Sequence, residues 1–151
     1  MSTARYALYS GTMAGLASLL AVMASAKSEG RGVLQPVNAT SHWLHGDKAG
    51  AVANPDIRHT GVGFVTHALS AMFWAVPFAI WLSRRSPRSL PRLIGEASAL
   101  SAFAALFDYG VVPRRLTPGW ELAVSKRAVA GAFVAMALGL AAGAWAAQRR
   151  S

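Results

Sequence analysis

Histidine and the acids are the residues of this chain best equipped for chemistry, and they are sparse: 4 histidines and 6 acids in 151 residues. Two of the histidines lie in the stretch NATSHWLHGD, residues 38–47. Read as a helix, this stretch puts Asn38, Ser41, His42 and His45 at i, i+3, i+4 and i+7, on one face. His59 and His67 follow, separated by about 80° around a helix and about 12 Å along it. Asp108 lies about one helical turn before Pro113. Four neutral imidazoles, or three with a carboxylate, suit Zn, Fe or Cu. A carboxylate can also fix the tautomer of a metal-bound imidazole. His42, His45, His59, His67 and Asp108 are therefore the candidate metal ligands. Trp74, on the same helical face as His67, and Tyr109, beside Asp108, are candidate contacts for a cofactor such as a quinone.

Plainer roles compete with each of these. A histidine inside an apolar helix can be satisfied by a hydroxyl or carbonyl of a neighbouring helix, and Asp108 by Arg114 or Arg115 folding back on it. Glu96 follows Arg92 at i,i+4 and needs no other partner. Cysteine is absent, which excludes disulfides, thiolate metal sites and cysteine nucleophiles. Ser41, Ser70, His67 and Asp108 supply the residue types of a hydrolytic triad, but no GxSxG elbow accompanies them. Neither an HExxH pattern nor a phosphate-binding glycine loop occurs.

The elements that must position these residues follow from hydropathy. The chain is 54% hydrophobic and 14% charged, with a mean hydropathy of +0.35. A bilayer core about 30 Å thick needs roughly 20 apolar residues of helix. Windows 6–26, 60–82, 93–112 and 126–147 qualify. The expected fold is all-α: a polytopic four-transmembrane-helix bundle forming a single membrane domain over 1–151, with a short interfacial helix at 37–46 in the long first connection. Asn54 and Pro55 are expected to open the second span, and Thr117 and Pro118 a helix leading into the last, with Trp120 at headgroup depth. The first span, with ASA before Lys27, also resembles a cleavable leader; the reading adopted is a retained helix. With four spans, the first and third connections share one membrane face, so the histidines and Asp108 gather at one end.

Charge and small residues bear on partners. The 15 basic residues against 6 acidic ones give a net charge of +9. The arginines punctuate the ends of apolar runs, as anchors and topology signals do, so no nucleic-acid partner is expected and the lipid bilayer is. The dense group Arg84, Arg85, Arg88 and Arg92 argues for both termini on the cytoplasmic side of a prokaryotic inner membrane. Gly11 with Gly15, and Gly139 with Gly143, are GxxxG pairs suited to close packing against a larger membrane complex or a second copy. Two functions stay open: a non-catalytic subunit or assembly factor, and a metal- or cofactor-binding protein built on the histidines and Asp108.

Overall fold

The computed structural model describes residues 2–85 and 87–149, and these are mostly helical, with no strand among them. The long helices are α1 (Thr3–Ser28), α4 (Val62–Ser83), α5 (Leu90–Gly110) and α6 (Lys126–Arg149), and each is long and apolar enough to cross a membrane. The short helices α2 (Gln35–Ala39) and α3 (His42–His45) lie in the first connection, with a 3₁₀ turn at Asp47–Ala51 and a wide π-type turn at Ile57–Gly61. The third connection carries 3₁₀ turns at Arg114–Leu116 and Trp120–Leu122.

Packing follows the small residues. α1 runs against both α6 and α4, and α5 leans on α6, whereas the consecutive helices α4 and α5 scarcely touch. A Cβ at Gly139 would lie 2.5 Å from the Met13 carbonyl oxygen and 2.6 Å from the Ala14 Cα. One at Gly143 would lie 2.5 Å from the Ser10 Cα. Only glycine permits so close an approach of two backbones. The other pair faces α4, where a Cβ at Gly11 would meet that of Ala75 at 3.2 Å and one at Gly15 that of Ala71 at 3.2 Å. Both glycine pairs thus pack helix against helix inside the chain. Across α5 and α6, the Ser101 hydroxyl donates to the Phe133 carbonyl at 2.6 Å.

The first connection is a folded cap, organised around the fully buried Asn38. Its amide donates to the carbonyls of Val52 (2.8 Å) and Asn54 (3.1 Å), and its oxygen accepts from the Thr60 hydroxyl at 2.7 Å. The helix expected over 37–46 is broken in two. Ser41 turns both its N–H (3.0 Å) and its hydroxyl (2.7 Å) onto the Asn38 carbonyl, a local alternative that ends the regular helical ladder.

Two expected helix starts also shift. Asp56, rather than Asn54, caps the entry to α4: its carboxylate accepts from the His59 N–H at 2.7 Å, while its own N–H donates to the Thr60 hydroxyl at 3.0 Å. The Asn54 carbonyl is already held by Asn38. At the last span Thr117 bonds Glu121 (2.6 Å) and the Arg114 carbonyl (2.9 Å) instead of starting a helix. The cap of α6 is Ser125, whose hydroxyl accepts from the Ala128 N–H at 3.2 Å. Glu29, just past α1, accepts from both the N–H (3.0 Å) and the hydroxyl (2.6 Å) of Ser125, tying the end of α1 to the start of α6. At the opposite end of the bundle Gln148 bonds the backbone of Arg88 in both directions (2.8 and 3.1 Å), and Glu96 pairs with Arg88 and Arg92 at 3.2 Å each.

Candidate functional site: a cleft between α4 and α5

The histidines and Asp108 do lie toward one end, yet they do not converge. His42 and His45, three residues apart in α3, diverge. His42 is buried, with Nδ1 3.1 Å from the Ala39 carbonyl and Nε2 3.0 Å from that of Arg114. Each ring nitrogen thus faces a backbone carbonyl, and the neutral ring donates to one of the two. His45 points to the surface, where Nε2 meets the Arg58 carbonyl at 2.9 Å and the ring leans on His59 at 4.7 Å.

His59 in turn bonds Asp56 through Nδ1 at 2.8 Å. Its ring and N–H hold the Asp56 carboxyl below the usual carboxylate range. His67 sits deeper, with Nε2 2.9 Å from the Gly15 carbonyl of α1 and 3.5 Å from the Ser18 hydroxyl. A nitrogen that donates to a carbonyl has no lone pair left for a metal.

Among the described residues, no three His, Cys, Asp or Glu side chains group as a metal-ligand set. The structure therefore does not bring His42, His45, His59, His67 and Asp108 together as the expected set of Zn, Fe or Cu ligands. Backbone carbonyls divide the imidazoles between the cap, its outer surface and the α1–α4 seam.

The expected cofactor contacts separate as well. The Tyr109 hydroxyl donates to Glu121 at 2.9 Å, and its ring meets Phe133 edge-on. Trp74 instead faces a cleft of about 660 Å³, where the divergence of α4 from α5 leaves space beneath the cap. Asp108 also lines this cleft, beside the Trp74 side chain. It does not pair with the arginines that follow it. Arg114 reaches Asp47 at 3.0 Å, and Arg115 donates to the Trp43 carbonyl at 2.9 Å.

No protein-family model, curated protein or solved structure matches this chain. The chemistry of the cleft must therefore be read from its own residues. Its walls are mostly apolar and aromatic, and its polar groups are gathered at the capped end: Ser18, Thr66, His67, Ser70, Asp108 and Thr117. Leu69 and Phe73 line it while remaining 67% and 65% exposed, so the mouth opens sideways through the outer surface of the bundle.

The back wall was the part sequence reasoning missed. Trp120, expected at headgroup depth, is only 4% exposed and lies between His67 (5.6 Å, tilted) and Phe133 (5.8 Å, edge-on). The signal was the PGW turn at 118–120. Gly119 adopts φ +81, and a Cβ there would lie 2.5 Å from both the Ala39 carbonyl oxygen and His42 Nδ1, so glycine lets the turn press against the cap and send the next side chain inward.

Proposed function

We propose that this chain is a non-catalytic binding protein of a membrane, which admits an amphipathic small molecule from the bilayer into the cleft between α4 and α5. The observation that carries this reading is the position of the mouth. Its exposed rim lies partway along helices long enough to span, where the surroundings would be acyl chains rather than water. A molecule already dissolved in lipid would enter sideways, place its apolar body against Phe73, Trp74 and Phe107, and keep its polar end at the capped end. The partner supported here is the bilayer. A larger complex, expected from the glycine pairs, loses that support because those glycines pack α1 against α4 and α6. The start of α1, the end of α6 and the Arg84, Arg85, Arg88 and Arg92 group lie together away from the cleft, and on the charge rule this end would face the cytoplasmic side of an inner membrane.

A photoreactive amphiphile, an alkyl chain bearing a diazirine, tests the reading on the full chain in bilayer discs. Peptide mapping should place the label on Leu69, Phe73 and Phe107, and Ser70→Trp, which fills the cleft from its exposed rim, should remove it. Labelling spread evenly over the outward faces of α1, α5 and α6, and unchanged by Ser70→Trp, would refute it.

A further inference from the structure

The polar end of the cleft is not neutral in its chemistry. Asp108 makes no ion pair among the described residues, and the Trp74 side chain lies beside it. The nearest cations in sequence are engaged elsewhere, Arg114 with Asp47 and Arg115 with Trp43. Glu121, the next acid along the chain, is already held by Tyr109 and Thr117. Asp108 thus stands alone as a carboxylate in an apolar cleft, with lone pairs to spare.

Around it are aromatic rings. Trp74 meets Phe73, Phe103 and Phe107 at 5.3–5.9 Å with near-perpendicular planes, and Phe73, Trp74 and Phe107 all line the space. Aromatic faces attract cations, more strongly as water is excluded, and a carboxyl beside them supplies the opposite charge when a bound cation takes the place of its proton. We infer that the cleft takes a singly charged lipophilic cation, an ammonium or phosphonium centre on an apolar body, with its charge beside Asp108 and its body among Phe73, Trp74 and Phe107. This inference rests on the cleft as a binding site and adds the sign of charge that the site selects.

The test uses isostructural probes of opposite charge on the full chain in neutral maltoside detergent, at a pH where carboxylates are ionised. Equilibrium dialysis measures tetraphenylphosphonium, tetraphenylborate and neutral triphenylphosphine oxide against wild type, Asp108→Asn and Asp108→Glu. The expected result is saturable phosphonium binding, weakened about tenfold or more by Asp108→Asn and kept by Asp108→Glu, a factor set by losing one charge-assisted contact. The borate and the neutral oxide should bind more weakly and not respond to either substitution.

If all three probes bind wild type alike, the cleft remains a binding site and the cation inference falls. If none binds, both readings fall together. The charge series on wild type decides the question even where Asp108→Asn does not fold. Sphingosine, a membrane lipid whose headgroup carries one ammonium and no phosphate, added in mixed micelles, then separates two sources of the same chemistry. Competition with the phosphonium identifies a lipid amine headgroup, and its absence a free amphipathic amine; both outcomes support the inference.

Discussion

Adding one methyl group to four different glycines should split them into two classes. At Gly139 and Gly143 the new Cβ would fall 2.5–2.6 Å from backbone atoms of α1, which cannot rotate away as a side chain could. Ordinary carbon contacts begin near about 3.5 Å, so α1 and α6 would have to separate by roughly 1 Å along a seam they share for most of their length. Overpacking of that kind costs about 1–3 kcal/mol. At Gly95 and Gly131 a Cβ meets nothing within 4 Å, and alanine there gains roughly 0.5–1 kcal/mol of helix preference. That helix gain is common to all four positions, so the two classes should differ by the overpacking alone, about 1–3 kcal/mol. Reversible unfolding in mixed micelles, titrated with a denaturing detergent and followed by circular dichroism, measures the gap. Equal stability of all four variants would show that the α1–α6 seam is not as close as described. If Gly139→Ala and Gly143→Ala also lost a co-purifying protein, the glycine ridge would face a partner after all.

Two further expectations concern the ends of the bundle. The carboxyls of Glu29 and Asp56 are both held below their ordinary values of 4.5 and 3.8, Glu29 chiefly by the Ser125 hydroxyl and N–H and Asp56 chiefly by the His59 N–H and ring. A lowered folded-state pKa contributes stability above the ordinary value and loses it as pH falls through the folded one. The thermal midpoint should therefore drop as pH falls from about these values, and Glu29→Gln and Asp56→Asn should flatten that acid limb; an unchanged slope in both variants would remove these caps from the account. Cysteine introduced at exposed Lys48 and at exposed Ser89 should react with an impermeant maleimide from opposite sides of a sealed vesicle, and labelling of both from the same side would overturn the four-span arrangement.

The long helices were legible because length and apolar content are properties of a segment by itself. Window 60–82 became Val62–Ser83, and 126–147 became Lys126–Arg149, with ends displaced by a few residues. Topology also gathered the histidines and Asp108 at one end. Convergence was not legible, because it depends on where single side chains point within short segments. A serine hydroxyl that competes for the Asn38 carbonyl splits α2 from α3, and backbone carbonyls from distant segments then claim the ring nitrogens of His42 and His45. The helical periodicity that placed His42 and His45 on one face presupposed a continuous helix. For the cleft, the shared face of His67, Ser70 and Trp74 was visible in the spacing, and all three do line it. Its back wall was not, because Trp120 is turned inward by the conformation of Gly119 and not by any pattern in its own neighbourhood.

The divergence of α4 from α5 has a consequence for how such a protein can change. Cohesion resides mainly on α1, along its seams with α6 and α4, and in the Ser101–Phe133 bond that seats α5. The proposed binding surface is the facing sides of α4 and α5, where Leu69, Phe73 and Phe107 stand partly exposed along the cleft. Substitutions along the mouth can therefore reshape which molecule is accepted while leaving the scaffold intact. The two helix surfaces are free to evolve at different rates, one conservative and one exploratory.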